Sequence, residues 1–214
     1  MSVTVHIYPL SRLVHASPGS WENQLRSIEE GKLHAYRYYL PLREAVVAYC
    51  KSRGKKLDPI LQRLSVSASA VPAGRGANPV KDNRDGFDVF TADFYPRMSH
   101  FGQSFLREDA KLGCLFEGAH LGGLPHFSAT DSKGDTRYVY LHASKWDEDD
   151  LKAYLELLSV IVEGKFGAPP ASIWCMDLRT GKDYRWKSST RMRTKCANAA
   201  RHYVRLVEAM RPPK

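Results

Sequence analysis

Read for the spacing of its apolar positions, the chain opens on VTVHIYPL, whose alternation predicts a strand from Val3 to Tyr8. SPGSWENQLRSIEEG follows, with Ser20 as cap and Gly31 as stop of a short helix. HAYRYYLPLREAVVAYCKSRGKK carries a longer helical pattern, kinked or broken at Pro41 and ended at Gly54. Residues 65–84, SVSASAVPAGRGANPVKDNR, are rich in Gly, Pro, Ala and Ser and predict a mobile loop or a boundary. The chain thus reads as an N-terminal strand and helical extension, 1–84, and a core, 85–214, or as one compact domain made of both.

The core is more regular. Phe87, Phe90, Phe94, Met98, Phe101 and Phe105 recur three or four residues apart, the apolar stripe of one helix kinked at Pro96. GCLFEGAHLG and GLPHFSATD read as two strand-like runs, SKGD as a turn and TRYVYLHASK as a partner strand ending in Lys145. DEDDLKAYLELLSVIVEGKFG is a helix with acids in its first turn, where the macrodipole favours them. Leu151, Tyr154, Leu155, Leu158 and Ile161 line one face, and Lys165 and Gly167 mark its end. ASIWCMDLRTGKDYRW gives two strands about a Thr180-Gly181 turn. SSTRMRTKCANAARHYVRLVEAM is a capped helix burying Met192, Cys196, Ala199, Tyr203, Leu206 and Met210. The predicted fold class is α/β of the α+β kind, a mixed β-sheet flanked by helices with an αβββαβ core and a long basic C-terminal helix.

Composition narrows the function. With 214 residues, 43% hydrophobic and 26% charged, the chain has the content of an ordinary soluble protein. Its apolar runs are too short for a bilayer, and its start lacks a charged end followed by an apolar block, so the expectation is a cytoplasmic protein with no membrane partner. Cys50, Cys114, Cys175 and Cys196 lack zinc-like spacing and read as reduced core residues. Residues 1–178 hold 21 Lys/Arg and 21 Asp/Glu, so the entire charge of +9 lies in residues 179–214, where 11 Lys/Arg face only Asp183 and Glu208. A neutral body with one cationic end suits a polyanion.

Eight of these eleven cations, Lys182, Arg185, Lys187, Arg191, Arg193, Lys195, Arg201 and Arg205, lie before or on the last helix and are the binding candidates. Arg191, Lys195, Asn198, His202 and Arg205 form a helical stripe suited to a phosphate backbone, while Tyr184 and Trp186 offer rings to stack on bases. The expected partner is nucleic acid, DNA or RNA, or an acidic protein read by the same charges.

The element order from Gly86 to Trp186 resembles the core of the PD-(D/E)XK nuclease superfamily, in particular its RecB-like and Cas4-like branch. GLPHF takes the second-strand place, with His126 near the family's metal-binding aspartate. HASK takes the third, with Lys145 as the family lysine and Ala143 where the acid stands; Tyr154 falls at the helix aromatic. The resemblance implies a nuclease built on Mg²⁺ or Mn²⁺ held by carboxylates, with the lysine orienting water. Ala143 removes one such ligand, and Glu117 and Asp131 are the nearest acids that could replace it as metal ligands.

His126 and His142 stand as further catalytic candidates beside Lys145. A three-residue KGD loop places the two rings directly across the hairpin, and a two-residue KG turn moves them one residue out of register. No Gly-rich phosphate loop, Ser-His-Asp elbow or H-E-x-x-H motif occurs. The leading expectation is a nucleic-acid-binding protein on a degenerate PD-(D/E)XK-like core without catalysis, placed by analogy in bacterial defence or mobile-element machinery. The alternatives are a Mg²⁺-dependent nuclease with relocated carboxylates and a protein-interaction subunit of a larger complex.

Overall fold

The computed structural model describes residues 3–23, 38–72, 76–104, 113–123, 125–167 and 173–210. In chain order its elements are β1 (Val3–His6), α1 (Ile7–Leu13), α2 (Leu40–Lys51), α3 (Leu57–Ser69), α4 (Pro79–Val89), α5 (Tyr95–Met98), β2 (Gly102–Ser104), β3 (Gly113–Phe116), β4 (Ala119–Gly122), β5 (Phe127–Thr130), β6 (Thr136–His142), α6 (Glu148–Phe166), β7 (Ile173–Asp177), β8 (Lys182–Trp186) and α7 (Thr190–Ala209). The predicted mixed α/β class holds. The strands form two sheets, one ordered β1-β4-β3 and one ordered β2-β5-β6-β7-β8, with β1–β4 and β6–β7 parallel and the other pairs antiparallel.

Several boundaries differ from the sequence reading, each for a local reason. β1 stops at His6, whose Nδ1 accepts the Tyr8 N–H at 3.3 Å and caps α1, with Pro9 in the first turn where no N–H is needed. Pro41 likewise opens α2 rather than kinking it, and Gly54 (φ 75°) closes the turn after it. Most of the segment 65–84 is helical: α3 runs to Ser69, and the Asn78 side chain caps α4 by accepting the Lys81 N–H at 3.1 Å, with Pro79 in the first helical position. The helix expected over residues 20–31 lies, from 24 onward, outside the described residues.

Phe87, Phe90, Phe94 and Met98 are fully buried, as their spacing predicts. The helix does not continue to Phe105, however. Residues Phe90–Phe94 form a widened turn in which the Tyr95 N–H bonds to Phe90 O, five residues back. This π-type turn accommodates Pro96, and the helix ends two residues later at Met98. Phe101 turns the chain into β2; Phe105 lies outside the described residues.

The five-stranded sheet carries the αβββαβ order through α4–α5, β2, β5, β6, α6 and β7. Its first strand is Gly102–Ser104, not the expected run after Gly113. That run folds into the hairpin β3–β4 about Glu117 (φ 49°) and Gly118 (φ 83°), and joins β1 in the smaller sheet. A two-residue turn with positive φ at both positions matches the twist of paired strands.

Two cores flank the larger sheet. On one face Leu42, Val46, Phe87, Phe90 and Phe94 from α2, α4 and the wide turn pack on Val139, Leu141, Trp174 and Met176. On the other, Tyr138, Tyr140, Ile173 and Cys175 meet α6, which also touches α1, α7 and the smaller sheet. α6 is therefore buried on nearly every side from Ala153 to Val162, wider than the single apolar face its sequence suggests. Asp147 caps its start and Gly167 (φ 62°) its end. Residues before and after position 84 contribute to both cores.

Candidate nucleic-acid interface

α7 begins at Ser189, whose Oγ accepts the Met192 N–H at 3.2 Å. Cys196, Ala197, Ala199 and Ala200 are buried, and these small side chains let the helix lie close to α6 and β4. Met192, Tyr203 and Leu206 are half-buried against the same core, and Met210 is exposed instead of buried. The opposite face presents Arg191, Lys195, Asn198, His202 and Arg205, all exposed. At 1.5 Å per residue this stripe is about 21 Å long. That length covers roughly six phosphates of one strand of a duplex.

The cations at this end divide by what they touch. Lys182, Arg185, Lys187, Arg191, Lys195 and Arg205 are exposed, with no carboxylate within 4.0 Å among the described residues. Arg193 is differently employed. Its Nε donates to Glu156 Oε1 at 2.9 Å, and its two terminal nitrogens donate to Glu163 at 2.6 and 2.7 Å. The hydrogen bonds to Glu163 and Glu156 raise its pKa further, against the opposing pull of desolvation. Glu156 is wholly buried and also accepts from Trp186 Nε1 (3.1 Å), Ser188 Oγ (2.6 Å) and the Ser189 N–H (3.4 Å). The indole of Trp186 is thus part of the α6–α7 joint, and Tyr184, 44% exposed on β8, is the ring left at the surface. Arg201 lies 3.4 Å from Glu117 and bonds Asn198 Oδ1 at 2.9 Å.

The nuclease-derived candidates are dispersed. Glu117 sits in the β3–β4 turn of the smaller sheet against α7. Asp131 sits in the β5–β6 turn, where its Oδ1 accepts the N–H groups of Lys133 and Asp135 and Arg137 lies 3.6 Å away. Those backbone bonds and Arg137 hold its pKa low against desolvation. Among the described residues no three His, Cys, Asp or Glu side chains converge to hold a metal ion. β6 ends at His142, so Lys145 is not the end of a strand but an exposed residue three positions beyond it. Ala143 is 4% exposed and faces the Phe-rich core with Val139 and Leu141, so an acid there would point into apolar side chains.

The histidines do not face each other in either of the two expected registers. Asp131 binds the loop as a five-residue turn, pairing Thr130 with Thr136 and Phe127 with Val139. The N–H of His126 donates to Val139 O at 2.8 Å, and its Nδ1 accepts the Leu141 N–H at 2.9 Å. Its ring stacks on Tyr140 at 5.2 Å, and Tyr140 in turn stands 6.2 Å from His142. Burial, then Arg43, pushes the pKa of His126 well below its usual value. His142 is pushed down to about 4: burial dominates and Arg179 and Arg43 add to it, while Asp177 and the Ser144 backbone oppose. Burial keeps the Tyr140 hydroxyl protonated.

Arg43, Asp177 and Arg179 thus join His142 at the end of the larger sheet, and the sequence reading singled out none of them. DLRTG after an apolar strand signals the turn that carries two of the three; no linear signal connects Arg43 to His142. Comparison with family models, with curated proteins and with solved structures returned no match.

Proposed function

We propose that this chain binds nucleic acid through the exposed cations of β8 and α7. The observation that carries the reading is the set of six basic side chains, Lys182, Arg185, Lys187, Arg191, Lys195 and Arg205, exposed and without carboxylate partners among the described residues. Five of them are carried by β8, the link after it and α7, while Arg185 pairs with Trp174 and so points to the other face of the sheet. The Glu156–Arg193 joint holds the backbone that bears them in place before a ligand arrives. Tyr184 adds a ring on which a base can stack. Arg193 and Trp186 support the surface from beneath, and Arg201 is shared with Glu117.

The αβββαβ order of the larger sheet supports a nuclease-like frame beneath that surface. The described residues do not fit the Mg²⁺ centre of such a nuclease: Glu117 and Asp131 serve separate turns, and position 143 faces the core. The reading is therefore one of binding.

The test is a binding and cleavage series with labelled single- and double-stranded DNA and RNA, in EDTA, Mg²⁺ or Mn²⁺. If the five cations on one side each contact one phosphate of duplex DNA, the logarithm of affinity falls with that of salt at a slope of about −4.5, roughly a five-hundredfold loss from 50 to 200 mM salt. Affinity that ignores salt, or that survives charge reversal at Arg191, Lys195 and Arg205, overturns the reading. Capture of an acidic protein without nucleic-acid affinity would move the assignment to a protein partner.

A further inference from the structure

At the carboxyl ends of parallel strands, side chains from several elements converge, and α/β proteins commonly bind ligands there. Here α6 joins β6 to β7, and His142 at the end of β6 is paired in register with Asp177 at the end of β7. His142 is 3% exposed, and its Nδ1 is buried with no hydrogen-bond partner among the described residues. Buried polar atoms are nearly always bonded, so an orphaned ring nitrogen in a charged cluster calls for a ligand.

Two guanidinium groups act on this ring. Arg43 is delivered by α2, whose first turn is held from outside: Asn83 Oδ1 accepts the Leu42 N–H at 3.0 Å, while Asn83 Nδ2 donates to Tyr38 O and Pro79 O. Arg43 lies near enough to His126, Tyr140 and His142 to bias the titration of all three. Arg179 is delivered by the β7–β8 turn, where its N–H donates to Asp177 Oδ1 at 2.9 Å and its guanidinium reaches Ser144 O at 3.3 Å. Asp177 Oδ2 accepts from Thr180 Oγ1 at 2.8 Å, so both carboxylate oxygens are engaged in fixing the turn. Arg179 is exposed and has no carboxylate within 4.0 Å among the described residues.

We propose that the ends of β6 and β7 form a site for a phosphate-class oxyanion, held between Arg43 and Arg179 with His142 Nδ1 as a further donor. The site uses none of the α7 cations and so stands or falls separately from the nucleic-acid surface. The charged and titratable groups that face the ring are Arg43 from α2, Asp177 from β7, Arg179 from the turn and Tyr140 on β6 itself. Beside them stand the Ser144 backbone and, at 5.3 Å, the Trp146 ring. A bound anion offsets the two guanidinium charges that help keep the ring neutral. His142 then takes up a proton, its Nδ1–H donates to the anion, and binding tightens as pH falls. A phosphate of this class is carried by a free mononucleotide or by the phosphorylated end of a nucleic acid.

The test is an NMR titration of the full chain with inorganic phosphate at constant ionic strength, observed at the imidazole nitrogens of His142. The expected result is a saturable shift; with sulfate, whose charge does not change in this range, binding is tighter around pH 6 than around pH 8. Arg179→Gln, on an exposed turn, should weaken it about tenfold or more, as loss of a charged hydrogen bond does. Charge reversal at Arg191, Lys195 and Arg205 should leave it unchanged. A response that never saturates, or one that follows the α7 variant and not Arg179→Gln, overturns the site. A thermal shift of the unmodified chain by phosphate gives a second readout that needs no variant, and its absence at saturating phosphate also overturns it. Competition by 5′-phosphorylated but not 5′-hydroxyl oligonucleotide assigns the anion to a nucleic-acid end; competition by mononucleotide alone assigns it to a free nucleotide.

Discussion

Removing the carboxylate of Glu156 should loosen the joint between α6 and α7. Glu156→Ala deletes an acceptor used by Trp186 Nε1, Ser188 Oγ, the Ser189 N–H and Arg193 Nε, all from β8, α7 or the link between them. The side chain is wholly inaccessible, so water cannot replace it without opening the α6–α7 joint. Arg193 keeps Glu163, which is partly exposed, and so is not left wholly unpaired. Breaking a buried pair from one side costs about 3–5 kcal/mol. For a chain of this size that corresponds to a fall in Tm of roughly 6–20 °C.

Urea unfolding followed by the indole fluorescence of Trp186 and its neighbours is the direct assay. Glu156→Ala should lower the midpoint with little change in slope, and Glu156→Gln should fall between, since it keeps one acceptor oxygen and the volume. The double variant with Arg193→Ala should show coupling of about 0.5–3 kcal/mol, because the two side chains share one network. A loss below about 1 kcal/mol for Glu156→Ala, the size of a surface pair, would refute the claim that this carboxylate joins the two helices.

The remaining predictions concern charge and pH. Charge reversal at Arg191, Lys195 and Arg205 should reduce the salt slope by about 3 while leaving the urea midpoint in place, as measured by fluorescence anisotropy on duplex DNA. His142 is neutral in the folded chain and protonates more readily when unfolded. Stability is therefore fully present above the unfolded value near 6.5 and is lost as pH falls toward about 4. At pH 5 the loss from this residue is about 2 kcal/mol, and the difference between the unmodified chain and His142→Gln in urea titrations at pH 7 and 5 should report it. An identical pH dependence in both proteins contradicts the assignment. Lys145→Ala, an exposed site beyond the strand, should leave the midpoint within about 0.5 kcal/mol. Gly181→Ala places a side chain at φ 69° and 2.7 Å from Asp93 Oδ2, and should cost about 1–2 kcal/mol by thermal melt.

What could be read from the sequence was what short-range chemistry decides. Asp147, Gly167 and Ser189 bound their helices by contacts within a few residues, so α6 and α7 were legible to their ends. The same local chemistry misled where a residue has two uses. Asn78-Pro79 looks like a breaker and is a cap with a first-turn proline; Pro41 looks like a kink and is a helix start. Pairing across the chain was less legible. Glu117-Gly118 folds a single predicted strand into a hairpin, and the smaller sheet forms only because residues near the start pair with that hairpin. The β5–β6 register turns on the Asp131 side chain gathering two backbone N–H groups, which sets His126 against Tyr140 instead of His142. The cationic stripe was visible as a periodicity. That Arg193 and Trp186 are withdrawn from it was not, because the group that withdraws them, Glu156, looks in sequence like any acid on a helix surface.

α6 has a consequence for how the molecule comes apart. A helix enclosed from Ala153 to Val162 shields its amides from solvent on every side, so local fraying cannot expose them. Its amide hydrogens should exchange only when the larger sheet separates from the elements on the helix's far side. The two sheets thereby share one protective element, and neither can melt early without uncovering apolar surface that the other still needs. Hydrogen exchange should find the slowest amides of the chain in the middle of α6, with the opening of that helix equal to unfolding of the whole.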